Sequence, residues 1–231
     1  SGLWTWKNRQ RGRAARGQWR SVIVAEAGDT IEMAADFTGF SQDEPENWLF
    51  DIANGRYVQS QEEVVANCEY SVPNIYVLGR GNTDSRKTKW EWYPALTLDT
   101  QRQLNRFWLT LESRGYHVVL DDFFTQADVS RWSAHPDVAG VLVAGHGDGW
   151  GRVALADKDH RGFHQLFTPG DLDNQHHRWR DLYLYACEVP SSMAIKFSKY
   201  VSRPNGRLWF SSLGVSPLED GPEDLDYTRG R

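Results

Sequence analysis

Two apolar runs constrain this chain more than anything else in it. Val141-Leu142-Val143-Ala144-Gly145-His146-Gly147 ends in His-Gly, and Leu182-Tyr183-Leu184-Tyr185-Ala186-Cys187 ends in Ala-Cys. Each has the length and the β-branched or aromatic content of a buried strand, and each stops at a side chain capable of chemistry. In an open α/β sheet, ligands bind at the carboxyl ends of the strands. If the two strands are parallel neighbours, an imidazole and a thiol face one crevice.

The surrounding pattern favours such a sheet. A helix is expected over residues 100–113, capped by Asp99, with Leu104, Phe107, Trp108 and Leu111 at i, i+3, i+4 and i+7 on its buried face. Strands are expected over 72–78, 116–120, 138–144, 182–185 and 207–211, with short helices over 127–134 and 193–201 between them and a hairpin arm over 152–156. Strands separated by helices at this spacing imply a parallel, doubly covered sheet. Upstream, 21–24 reads as a strand, Thr30 as the cap of a helix through Ala34-Ala35, and 46–52 as a second short helix.

Composition narrows the function classes. The chain has 231 residues, is 40% hydrophobic and holds 11 Trp, enough for a substantial core. No run of about 18 apolar residues exists, so no membrane partner is expected. A net charge of −5 argues against a general nucleic-acid binder. Lys7, Arg9, Arg11, Arg13, Arg16 and Arg20 nevertheless make a basic arm over residues 1–20, read as a solvated, flexible segment. No signal peptide is visible, and Ser1-Gly2 in place of Met points to a chain that was excised from a longer one or carries a tag remnant. Two cysteines, Cys68 and Cys187, make neither a disulfide framework nor zinc-finger spacing, which points to a cytoplasmic or otherwise reducing setting. His160, His164, His176 and His177 lack metal-binding spacing, and neither metal nor cofactor is called for.

A thiol is a better nucleophile when an imidazole takes its proton, and the same imidazole can later protonate a leaving amine. The backbone N–H groups of Gly147 and Cys187 are the candidate oxyanion donors. In acyl-transfer enzymes one such donor contributes about 3–4 kcal/mol. Asp121, Asp122, Asp148 and Glu188 all fall near strand ends. They are candidate substrate-binding acids for a basic P1 side chain, which would make the arm a region of self-cleavage. Trp90, Trp92, Trp150 and Trp179 are candidate walls of the crevice.

Cys187 follows His146 by 41 positions (187 − 146), close to the offset of about 50 in caspases. The strand-His146-Gly147 and strand-Ala186-Cys187-Glu188 pairing resembles the clan CD cysteine peptidases, with Ala-Cys-Glu as in legumain-like and CHAT-type members. Residues 208–213 resemble the strand after the catalytic Cys of CHAT-type proteins. The resemblance implies an α/β, caspase-hemoglobinase-like, mostly parallel sheet flanked by helices over residues 73–231. It also implies a cysteine endopeptidase with His146 as base, Cys187 as nucleophile and the Gly147 and Cys187 amides as oxyanion donors. Its partners would be a protein or peptide substrate and, as in some relatives, an activating partner. Val189-Pro190 replaces the usual Ser/Thr-Gly after Ala-Cys-Glu, and the caspase Gln-Ala-Cys-Arg-Gly pattern is missing. Residues 21–72, with Gly28-Asp29-Thr30, Ala34-Ala35, Trp48 and Ile52-Ala53-Asn54, resemble a degenerate LysM-type module. That family binds N-acetylglucosamine polymers, and related segments precede bacterial effector toxins. The competing expectations are a thiol acyltransferase or deamidase using the same pair, and a non-catalytic glycan- or protein-binding module.

Overall fold

A computed structural model describes residues 4–6, 20–83 and 93–231. The basic residues from Lys7 to Arg16, and Trp90 and Trp92, lie outside the described residues. Two sheets and a hairpin are built from β1 (Thr5–Trp6), β2 (Arg20–Val24), α1 (Ile31–Thr38), β3 (Phe50–Asp51), β4 (Arg56–Tyr57), β5 (Glu69–Pro73), β6 (Ile75–Arg80), α2 (Tyr93–Ser113), β7 (His117–Asp121), α3 (Gln126–Ser133), β8 (Val138–Ala144), β9 (Val153–Lys158), β10 (His164–Phe167), β11 (Asp181–Tyr185), α4 (Ser191–Phe197), β12 (Arg207–Phe210) and β13 (Asp226–Arg229).

The larger sheet has the order β13-β12-β11-β8-β6-β7. All its pairings are parallel except β12 with β13. Alternation along each strand divides the core between its two faces. Tyr76, Leu78, Leu142, Tyr183 and Tyr185 pack with Leu104, Phe107 and Leu111 of α2. Val77, Val141, Val143, Leu182 and Leu184 pack with Val129 of α3, Ala194 and Phe197 of α4, and Val153 and Leu155 of the β9–β10 hairpin. The helix following β6 covers one face, and the helices following β7 and β11 cover the other. That change of side accompanies the reversal in the direction in which the chain adds strands to the sheet, outward from β6 to β7 and then back through β8, β11 and β12, as a constant crossover handedness requires. The expected mixed α/β class, with a mostly parallel sheet flanked by helices, is what forms.

The smaller sheet is antiparallel, with order β1-β2-β5-β3-β4. Thr30 caps α1 as expected, its side-chain oxygen accepting from Met33 N–H (3.1 Å). Gly39 ends the helix in the left-handed conformation (φ 83°). The two sheets meet through one continuous core: Trp48, Tyr70 and Val72 of the first pack in the same cluster as Tyr76 and Leu78 of the second. Arg20 ties them polarly, pairing with Asp137 (3.0 Å) and donating to the Trp48 carbonyl (2.7 Å).

Several expectations need correction. The run over 72–78 is two strands, not one: β5 and β6 belong to different sheets and break at Asn74. The side chain of that residue donates to the Gly115 carbonyl (3.1 Å). Residues 46–52 form a single 3-10 turn (Pro45–Asn47) and then β3, not a helix. Asp99 is not a cap. α2 begins at Tyr93, and Asp99 sits inside it, paired with Arg102 at i+3 (3.1 Å). The antiparallel edge strand β13 was not anticipated, because its Asp-Tyr-Thr-Arg sequence carries no apolar alternation.

Candidate active site

The register of β8 against β11 determines where the two reactive side chains go. Ala144 pairs with Tyr185, so the residues that follow, Gly145-His146-Gly147 and Ala186-Cys187, leave the sheet side by side. Gly145 N–H still donates to the Tyr185 carbonyl (3.3 Å), which keeps the two segments together for one more residue. At Gly147 they touch. A Cβ added there would lie 2.0 Å from the Cys187 carbonyl oxygen, so the position admits glycine because of contact, without any positive φ. Gly145 is constrained in the same way, by the Ala154 carbonyl of β9 at 2.4 Å from its virtual Cβ.

The β9–β10 hairpin holds the His146 loop from the other side. Ala154 N–H donates to the His146 carbonyl (2.9 Å) and Asp148 N–H to the Arg152 carbonyl (3.2 Å). These two bonds flank the Gly147–Val153 bridge and leave the Gly147 N–H outside the ladder. His146 N–H donates to the Asn82 carbonyl (2.9 Å), and the Nε2 atom of its ring is buried. Cys187 is half-buried. Its sulfur accepts from Val215 N–H (3.2 Å) and lies 3.7 Å from the Val215 carbonyl. After Cys187 the chain turns through Glu188 in the left-handed region (φ 56°). That conformation costs a non-glycine residue about 1–2 kcal/mol. Two bonds hold it there, Glu188 N–H to the Leu213 carbonyl and Val189 N–H to the Ser211 carbonyl (each 2.9 Å).

A cavity of about 180 Å³ opens between the two side chains. Among the described residues its wall comprises His146 and Cys187 together with Thr83, Thr100, Tyr185, Val215 and Pro217, none of the last five charged. Burial raises the Tyr185 phenol above its ordinary pKa, and its hydroxyl donates to the Asp220 carbonyl. It therefore stays a neutral donor at the cavity floor.

The four candidate acids do not gather here. Asp121 and Asp122 end or follow β7, the sheet edge, two strand spacings from β8 and three from β11. At about 4.8 Å per strand this is roughly 10 and 14 Å away. Burial raises the Asp121 carboxyl and outweighs the hydrogen bond from Phe123 N–H (3.0 Å), while Asp122 faces Arg80 (3.6 Å). Asp148 is spent on its own turn. It accepts from Trp150 N–H (2.9 Å), Arg152 N–H (3.0 Å) and the Arg152 guanidinium (2.5 Å). Burial pushes its pKa up, but these three bonds outweigh that and leave it lowered. Glu188 alone of the four is exposed beside the site, its carboxylate 3.6 Å from where a Cβ on Gly149 would stand.

The aromatic candidates separate as well. Trp150 is on the loop after His146 and 73% exposed, whereas Trp179 is buried before the first residue of β11, at the far end of the sheet. His176 and His177 sit together at that far end, and no three His, Cys, Asp or Glu side chains among the described residues gather as a metal site. The two cysteines are unpaired. Among the described residues, no helix is long and apolar enough to cross a membrane. Sequence reasoning missed Val215, Thr83 and Thr100. Thr83 follows β6, Thr100 lies within α2 and Val215 follows β12, and no local pattern marks them. No family model and no curated protein matches the chain.

Proposed function

We propose that the chain is a cysteine endopeptidase with a caspase-hemoglobinase-like domain over residues 73–231, in which Cys187 is the nucleophile and His146 the general base and acid. One observation carries the reading: the loops after β8 and β11 are in backbone contact at Gly147 and Cys187, with His146 and Cys187 lining one cavity. The strand order, with a single antiparallel edge at β13, is in keeping with that fold. The antiparallel β2–β5 pair with α1 between them in sequence is in keeping with a decorated LysM-like unit ahead of it.

The chemistry follows from the positions. His146 takes the thiol proton, and the Cys187 sulfur forms a bond to the scissile carbonyl carbon while the C=O pair moves to oxygen. The Gly147 N–H, free of the ladder, and the Cys187 N–H meet that oxyanion. Collapse breaks the C–N bond, the His146 imidazolium protonates the departing amine, and a thioester to Cys187 remains. Water, deprotonated by His146, then adds to the thioester carbonyl, the C–S bond breaks to release the acid, and the His146 imidazolium returns its proton to the Cys187 sulfur. The sulfur must leave the Val215 N–H to react, and a substrate strand lying against residues 213–217 would displace that contact.

Among the described residues the cavity wall carries no carboxylate, which supports an uncharged P1 side chain. A preference for Arg or Lys would rest on Glu188 alone among the four acids. The test is a peptide library presented to the wild type, Cys187→Ala and His146→Ala. New termini that appear only with the wild type are expected. A one-dalton shift without new termini would instead indicate deamidation, and equal cleavage by Cys187→Ala would end the proposal.

A further inference from the structure

The opposite end of the large sheet carries a second polar cavity that the peptidase chemistry does not use. β11 starts at Asp181 and β12 at Arg207, and Arg229 of β13 pairs in register with Arg207. These strand starts, with Arg180, meet the end of α1 around a cavity of about 190 Å³, lined also by Asp36 and Asn205. At about 3.3 Å per residue, Asp181 is roughly 20 Å along the chain from Cys187. A second cavity of about 170 Å³ shares Arg180, Asp181 and Arg207, so those residues line both spaces.

The charges within this cluster are incompletely matched. Three guanidiniums face two carboxylates, and the carboxylates are largely committed. Asp181 accepts from Tyr76 Oη–H on one oxygen and from Trp209 Nε1–H (3.0 Å) on the other. Arg180 approaches it only through Nε at 3.5 Å. Asp36 accepts from the amides of Gln42 (3.0 Å) and Asn205 (2.7 Å). Arg207 is held by ring faces instead, 4.9 Å from the Tyr227 centroid and 5.7 Å from that of Trp209, and forms no ion pair among the described residues. Arg180 lies over Tyr116 in the same manner (5.3 Å). Ring contacts fix a guanidinium in place while leaving its in-plane N–H groups available, which is the geometry that accepts two oxygens of one oxyanion. The Arg180 stem runs close against Gly39, where an added Cβ would come within 3.0 Å of its Cγ.

We propose that this cavity is a binding site for a small dianion carrying a phosphoryl or carboxylate group, gripped by Arg180 and Arg207 with Arg229 at the mouth. The site is independent of the chemistry at Cys187, and it bridges the small sheet's helix and the first residues of the strand that leads to the nucleophile.

The test is isothermal titration of the full chain at constant ionic strength with inorganic phosphate and, separately, with succinate. Saturable heat with either ligand is expected, and which of them binds identifies the group recognised. Removing one charge-assisted fork in Arg207→Gln is expected to weaken binding about tenfold or more, with an unchanged melting temperature in the absence of ligand. Arg180→Lys, which keeps the charge but loses the fork, is expected to weaken it as well. Absence of saturable heat for both ligands through the millimolar range overturns the proposal. So does binding that Arg207→Gln and Arg180→Lys both leave intact.

Discussion

Replacing Gly147 by alanine tests the contact on which the site depends. The added Cβ would be 2.0 Å from the Cys187 carbonyl oxygen, where real Cβ atoms essentially never come closer than 3.0 Å. The two loops must therefore separate by about 1 Å, and the obstacle is backbone, which cannot swing aside as a long side chain would. Overpacking of this kind costs about 1–3 kcal/mol of stability. The kinetic effect is larger, since a misplacement of about 1 Å between reacting groups costs about 10²-fold in rate. The same shift carries the Gly147 N–H off the developing oxyanion. Gly147→Ala should thus lower kcat/KM by about two orders of magnitude, mainly through kcat, while the protein still melts cooperatively a few degrees lower. The assay is hydrolysis of the best library peptide, paired with a thermal melt. Wild-type turnover together with a wild-type melting temperature would refute the argument, because it would mean that the loops do not touch at Gly147 and Cys187.

Three further outcomes are expected. His177 is buried, donates through Nε2 to the Val138 carbonyl (2.6 Å), and is held neutral chiefly by burial, which depresses its pKa to about 3. The unfolded chain binds that proton near pH 6.5 and the folded chain does not. Stability is therefore complete above the unfolded pKa and falls as the pH drops toward 3, by about 2 kcal/mol at pH 5. Urea melts of the wild type and His177→Gln should differ in their pH slope over this window, and identical slopes would contradict the assignment. Asp121→Asn and Asp122→Asn should leave P1 preference unchanged in the library assay, whereas any cleavage after Arg or Lys should fall in Glu188→Gln. Reversal of that pattern would place the acids wrongly. Leu142, fully buried between α2 and the neighbouring strands, should cost about 2–5 kcal/mol as Leu142→Ala by chemical denaturation. A cost below 1 kcal/mol would mean that this face of the core is loosely packed.

The legible elements were those whose signal is local. β8 reads from its sequence because every residue from Val138 to Ala144 is buried, leaving an unbroken apolar run. α2 reads from the spacing of Leu104, Phe107 and Leu111, although its start does not, since Asp99 has the chemistry of a cap and lies within the helix. The break at Asn74 is blurred in the sequence because the residues on both sides are β-formers. Only the pairing of β5 with β2 and of β6 with β7 and β8 divides them between sheets. β3, β4 and β13 are short segments with no apolar alternation that become strands only through the partners they pair with.

The same division runs through the site. That a thiol and an imidazole would each end a buried strand follows from residue order alone, because strand burial and the end of an apolar run are written consecutively in the chain. That the two strands are parallel neighbours in register, Ala144 beside Tyr185, is a property of sheet order, which pairs residues some forty positions apart. The acids divide in the same way. Each is visible as a carboxylate near a strand end, yet β7 is the sheet edge, so Asp121 and Asp122 stand away from the pair. Arg152 folds back on Asp148, which leaves Glu188 beside the nucleophile. The Val215 contact on the sulfur and the arginine cavity at the opposite end of the sheet join segments that meet only once the sheet has assembled. Side-chain chemistry and periodicity are local properties of a chain. Adjacency, and therefore reactivity, depends on contacts between segments far apart in sequence.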